Sequence, residues 1–345
     1  MVDDLDHKVA QFLADSEDAF SGAYLVRLNG ILRLRGAAGL ASREFEVPNQ
    51  PSTRFRIGSV TKQFTAATIL LLAEEQSLAL DDSIARFIPE TSRAWRDITI
   101  RMLLCHRSGI PNYTSLESFP TELSKIDRTP AEVVALVGKL ELDFTPGTSA
   151  RYSNSGYTAL GCVIEEVCSQ PYAEALKARL FEPLGMASTG YDDGFSLIPS
   201  LASGYSFDGQ EWSRAPHIAM SLPFAAGGLY STVDDLAVWQ DALHGGALLR
   251  DESRHAMFAD HGDGLGFGMM VNKAEPQVRF HWGGISGFLA GASRVIGADW
   301  TADVIVLSNN GNGDSKLKSD PIYISKGLLA LALGKPFDAL GVMPF

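Results

Sequence analysis

Apolar positions recur at helical spacing from the start of the chain: Leu5, Val9, Phe12 and Leu13 share one side of residues 4–14 and predict an amphipathic packing helix. Residues 23–28 and 31–35 flank Asn29-Gly30, and Asn-Gly between two such runs favours a tight hairpin, so two antiparallel strands are expected. Residues 64–72 are apolar nearly all round, which suits a helix buried on most sides. Helical spacing with charged outer positions returns at 130–140, 156–169 and 172–181, with Pro130 at a first helical position where no N–H is required. Residues 232–243 read as a helix capped by Ser231 or Thr232, with Asp234 and Asp235 in its first turn. Strand-like stretches follow at 266–271, 278–282, 287–296 and 302–308, and an apolar helix is expected over 322–333.

Helix, hairpin, helical insert, several strands and a last helix is the order expected when one α/β (α+β) domain is assembled from both chain ends. Residues 1–60 and 226–345 would form it, and residues 61–225 a mainly helical lobe, with a ligand cleft between them. No repeat, low-complexity segment or Pro/Gly/Ser-rich linker interrupts this plan.

Composition narrows the function classes. The chain has 345 residues and a formal charge of -12, which disfavours nucleic acid and anionic lipid as partners. Cys105, Cys162 and Cys168 are an odd number without metal-ligand spacing, so at least one thiol is expected free or paired between chains. The seven histidines form no His-Glu-x-x-His element, and neither a metal nor a cofactor is expected. The acidic start is followed by no apolar segment of signal-peptide length, which predicts a cytoplasmic protein, or a periplasmic or secreted one had a leader been removed. The longest apolar runs, 66–73 and 327–334, fall short of the roughly 20 residues that cross a bilayer.

Three short elements carry candidate chemistry. Ile57-Gly58-Ser59-Val60-Thr61-Lys62 puts a serine and a lysine one helical turn apart, a nucleophile beside a base if desolvation lowers the amine's pKa. Backbone N–H groups at a helix start also favour an oxyanion. Arg151-Tyr152-Ser153-Asn154-Ser155 offers a tyrosine for proton relay and an amide to hold a carbonyl or the lysine. Phe280-His281-Trp282-Gly283-Gly284-Ile285 places glycines on a strand, where a substrate backbone can approach closely. Each alone is an ordinary sequence: a helix cap, a turn, a structural histidine.

Taken in order, Ser-x-x-Lys, Tyr-x-Asn and a His-x-Gly strand resemble the serine β-lactamase and penicillin-binding-protein superfamily, in its branch of class C β-lactamases, D,D-peptidases, D-aminopeptidases and family VIII carboxylesterases. Leu103-Leu104-Cys105-His106-Arg107-Ser108-Gly109, Pro183-Leu184-Gly185-Met186 and Gly227-Gly228-Leu229-Tyr230-Ser231-Thr232-Val233-Asp234-Asp235-Leu236 look like further segments of that branch, so the likeness runs from about residue 20 to about 310. It implies a β-lactamase/transpeptidase-like fold, an antiparallel sheet flanked by helices plus the helical lobe. It also implies Ser59 as acylated nucleophile, Lys62 as proton acceptor or electrostatic partner, Tyr152 as general base and acid, and Asn154 as positioning amide. His281 would stand where β-lactamases carry the lysine of Lys-Thr-Gly, beside Trp282 and Gly283, and the N–H groups of Ser59 and Gly284 would form the oxyanion hole. His106 and Ser108 are structural in this branch.

His-Trp-Gly-Gly departs from Lys-Thr-Gly and removes a permanent cation for a β-lactam carboxylate. No Gly-x-Ser-x-Gly occurs, which excludes an α/β-hydrolase elbow. The expected function is a covalent serine hydrolase acting on small-molecule esters, D-amides or β-lactams, foremost a family VIII-type esterase with weak β-lactam recognition. A β-lactamase, D-aminopeptidase or D,D-carboxypeptidase is the alternative enzyme, and a non-catalytic penicillin-binding sensor or scaffold the alternative of another class. Loops near 112–125 and 205–225 are expected to shape the acyl pocket. Which of Lys62 and Tyr152 takes the first proton, and the oligomeric state, are open at this level.

Overall fold

A computed structural model describes residues 2–15, 20–88, 95–208, 210–311 and 320–340. Its centre is a six-stranded antiparallel sheet in the order Met270–Asn272, Gln277–Ile285, Phe288–Ile296, Thr301–Ser308, Gly22–Leu28, Ile31–Ala38. Strands from both ends of the chain therefore meet in one sheet, through the pairing of Gly22–Leu28 with Thr301–Ser308. Asn29 (φ 51°) and Gly30 (φ 76°) close the first hairpin with both central residues left-handed, as a two-residue primed turn requires.

Side chains alternate across the sheet and bury two cores. On one face, helices Val2–Ala14 and Pro321–Leu333 cover Val278, Phe280, Val295 and Val304 through Val9, Leu13, Ile324 and Leu328. The other face contributes Leu25, Ala290, Ala292 and Ile305 to a larger core that runs on through the helical region. That core takes in helices Thr61–Glu74, Asn154–Cys168 and Val233–His244 without a break. Thr232 caps the last of these, accepting from the Asp235 N–H at 3.2 Å.

Two expected elements come out differently. The strand expected over 266–271 is reduced to Met270–Asn272, because Gly268 turns at φ +69° to pass the nucleophile helix; a Cβ there would lie 2.4 Å from the Lys62 carbonyl oxygen. The helix expected over 172–181 is α-helical to Leu176 and then widens into a π-helical turn, Lys177–Phe181. Within 61–225 the chain also makes β structure: Tyr205–Phe207 pairs with Trp212–Arg214, and Gly190–Tyr191 pairs with Leu229–Ser231. All three thiols are free. Among the described residues no helix is long and apolar enough to cross a membrane, and no group of three His, Cys, Asp or Glu could hold a metal.

Candidate active site

Short pairings on both sides of the turn fix the place of Ser59. Strand Phe55–Arg56 pairs with Leu229–Ser231, and the Ile57 N–H donates to the Leu229 carbonyl at 2.9 Å. A 3₁₀ turn, Gly58–Val60, then leads into helix Thr61–Glu74, so Ser59 lies on the turn and Lys62 in the first helical turn. Gly58 adopts φ +48°, and a Cβ on it would come within 3.0 Å of the Gly284 nitrogen. The glycines on both sides thus let the turn press against the sheet strand backbone to backbone.

Lys62 is fully buried, with 0% exposure. Its Nζ lies 3.1 Å from Ser59 Oγ, 2.7 Å from Asn154 Oδ1 and 2.6 Å from the Ala226 carbonyl oxygen, and none of these partners is a carboxylate. Burial holds its pKa well below the ordinary lysine range. A neutral amine has two N–H donors and one lone pair. Asn154 Oδ1 and the Ala226 carbonyl can only accept, so they take both hydrogens, and the lone pair is left facing the Ser59 hydroxyl. An amine so placed can remove that proton.

Tyr152 is also hydrogen-bonded to the Ser59 side chain. Burial raises its pKa, the bond to Ser59 working the other way, so the phenol is protonated. Its ring packs on His106, centroids 4.4 Å apart, and the Lys62 Nζ stands 4.8 Å from its centroid. His106 Nδ1 accepts from the Ser153 N–H at 3.1 Å, which sets the backbone between Tyr152 and Asn154. Burial above all lowers the His106 pKa, so this histidine is a neutral support. Ser153 caps helix Asn154–Cys168, accepting from Gly156 N–H at 3.3 Å, and Tyr152 precedes that cap. Asn154 is held through its own N–H to Asn112 Oδ1 at 3.1 Å and its Nδ2 to Thr114 Oγ1 at 3.2 Å. The Ala226 carbonyl has no signal in the sequence, since a main-chain acceptor leaves no side-chain signature; Asn112 and Thr114 belong to the 112–125 loop expected to shape the pocket, and their hold on Asn154 is a finding of the structure.

The third element divides across the sheet. His281 lies on the Ser59 side, 2% exposed, its ring 6.0 Å from that of Tyr152. Its Nδ1 is 2.6 Å from the Trp282 carbonyl, which only accepts, so Nδ1 carries the proton. Burial above all pushes the imidazole down to about 3. Trp282 does not join the site: its side chain packs on the opposite face with Phe280, its ring over Gly291. Successive side chains of a strand point to opposite faces, so His281 and Trp282 cannot both face Ser59. Gly283 meets the nucleophile turn and Gly284 lines the cleft.

Ser59, Asn154 and Gly284 open into a cleft of about 580 Å³ whose walls are largely apolar, with Tyr113 and Phe119 on one side and Phe288 and Leu289 on another. Segments 113–125 and 216–227 form much of its lining; the expected 112–125 loop is there, whereas of the expected 205–225 loop the lining takes residues only from Pro216 onward. A separate cavity of about 590 Å³, lined by Lys177, Phe181, Tyr191 and Tyr230, contains none of these residues.

A buried lysine amine of lowered pKa against a serine hydroxyl, on this fold, defines a serine hydrolase. The chain belongs to the beta-lactamase family: the family model described as Beta-lactamase matches residues 5–327. The PbpX protein of Bacillus subtilis (strain 168), named as a putative penicillin-binding protein, is 28% identical over 268 residues, 76% of this chain; the chain spans 65% of that relative's length. The teichoic acid D-alanine hydrolase of Staphylococcus aureus (strain MRSA252) is 25% identical over 344 residues, 97% of this chain and 80% of the relative. Among solved structures, a D-stereospecific amidohydrolase from Streptomyces sp. is 28% identical with a TM-score of 0.79, covering 96% of this chain and 99% of that one.

Proposed function

We propose that this hydrolase cleaves small carboxylic esters and D-configured amides through an acyl-enzyme on Ser59, short-chain esters being the better substrates and β-lactams weak ones. The observation that carries this reading is the Lys62 amine, whose two acceptors leave its lone pair on the Ser59 hydroxyl. Lys62 takes the hydroxyl proton as Ser59 Oγ attacks the substrate carbonyl carbon. The N–H groups of Ser59 and Gly284 receive the oxyanion; one such donor is typically worth about 2.7–4 kcal/mol in the transition state. Tyr152, held protonated, gives its proton to the leaving oxygen or nitrogen and is reprotonated from Lys62. Water then enters, loses a proton by the reverse route, and releases the acid from Ser59.

Preference for esters over β-lactams is supported by the apolar cleft walls and by His281, which provides no cation for a β-lactam carboxylate beside Ser59 at neutral pH. The D-configured arm is supported by the names of two relatives, a D-alanine hydrolase and a D-stereospecific amidohydrolase. Intact-protein mass spectrometry after brief exposure to a fluorescent penicillin, to p-nitrophenyl butyrate and to a D-alanine anilide tests the reading, with Ser59→Ala in parallel. The expected result is Ser59-dependent turnover of the ester and a penicillin adduct that persists. Neither adduct nor turnover would leave a binding scaffold as the better account.

A further inference from the structure

The catalytic group rests on buried, neutral side chains, so the charge a substrate meets comes from the cleft wall. Among the described residues that line the cleft, one Lys, Arg, Asp or Glu is present: Lys125. Its Nζ donates to the His217 carbonyl, and next to it the Ala219 N–H donates to the Ser124 carbonyl at 2.9 Å. These bonds tie the 113–125 loop to the 216–219 segment and hold the ammonium at the cleft mouth, with two of its three N–H donors still to be used. Lys125 is itself exposed, and Phe119, Ile218, Phe288 and Leu289 lie in the same lining. Among these lining residues no carboxylate balances it, and a substrate ammonium finds no counter-charge.

Resting on the acyl-enzyme reading, we propose that Lys125 is a specificity-determining residue that favours substrates bearing a carboxylate or phosphate group. The chain carries a net charge of -12, so an anionic ligand is repelled at long range and this local cation decides whether it stays. The anion can sit on the acyl part or on the leaving group, and the test has one arm for each.

Calorimetry on Ser59→Ala protein, where nothing is turned over, compares four esters: phenyl butyrate and p-nitrophenyl butyrate as neutral ligands, 3-(butyryloxy)benzoate with its anion on the leaving group, and p-nitrophenyl hemisuccinate with its anion on the acyl part. Adding Lys125→Met is expected to weaken one of the two anionic esters about three- to fivefold while both neutral esters stay within about 1.5-fold. Lys125→Arg should retain most of the affinity, and about 0.5 M NaCl should erase most of the difference between the proteins with and without Lys125→Met by screening. Equal weakening of neutral and anionic esters would mean a structural role for the loop, and unchanged binding of both anionic esters would overturn the proposal outright. Because this readout is binding, it stands or falls separately from Ser59-dependent turnover, which tests the acyl-enzyme reading.

Discussion

A Cβ placed on Gly283 would stand 1.9 Å from the carbonyl oxygen of Ile57, so the sheet strand and the nucleophile turn touch through bare backbone. The same Cβ would lie 2.9 Å from the Ser59 nitrogen, one of the two proposed oxyanion donors. Gly283→Ala must therefore push the turn off the strand. We expect kcat/KM for p-nitrophenyl butyrate to fall at least about 100-fold, in line with the loss of an oxyanion donor, with a stability loss of about 1–3 kcal/mol from overpacking. Kinetics paired with thermal unfolding checks this; a variant of unchanged kcat/KM would mean that this contact does not position Ser59.

Asn154 Oδ1 accepts from Lys62 at 2.7 Å, and Asn154→Asp would replace that neutral acceptor with a carboxylate. An opposite charge at this distance favours the ammonium and raises the Lys62 pKa. The base form is then lost at neutral pH and returns as pH rises. The kcat/KM profile of the variant should keep the wild-type shape with its acid limb displaced to higher pH. A uniform drop without displacement would assign Asn154 to substrate binding instead.

His281 titrates near about 3 and stays neutral from about pH 8 down to about pH 5, where an ordinary histidine would gain charge. Its contribution to holding a carboxylate should not grow as pH falls. The ratio of benzylpenicillin Kd values for Ser59→Ala and Ser59→Ala/His281→Gln is expected to be constant over that interval. A ratio that falls severalfold toward the acid end would place the titration in the usual range. His281→Lys is expected to increase penicillin acylation by adding the missing cation.

Thr129 and Glu132 form a capping box at the start of helix Pro130–Val137, the Thr129 hydroxyl accepting from Glu132 N–H at 3.2 Å while Glu132 Oε2 accepts from Thr129 N–H at 2.7 Å. Neither residue lines the reaction cleft. Thr129→Ala should lower stability by about 0.5–2 kcal/mol and leave kcat/KM for small esters unchanged, measured by denaturant unfolding and steady-state kinetics. Lost activity at full stability would show that this helix transmits to the cleft.

Periodicity made most of the scaffold legible. The Asn29-Gly30 hairpin, the helix after Ser59 and the strands at Gln277–Ile285, Phe288–Ile296 and Thr301–Ser308 follow from local pattern, because each buries one face or all faces of a regular element. The strand expected at 266–271 does not form over most of that span, because its apolar residues carry no sign that Gly268 must turn past Lys62. Trp282 was grouped with His281 by motif, although period two along a strand already separates them.

Residue types and their spacing determined that Ser59, Lys62, Tyr152 and Asn154 are the chemical candidates, and that glycines stand where backbones meet. Tertiary structure alone decided the protonation states. Lys62 is pushed toward the neutral amine because the core closes around it with uncharged partners, and in that form its lone pair faces Ser59 because Asn154 and Ala226, 92 and 164 residues away in sequence, take its hydrogens. Desolvation and long-range acceptors are properties of the packed chain, and no local pattern encodes them.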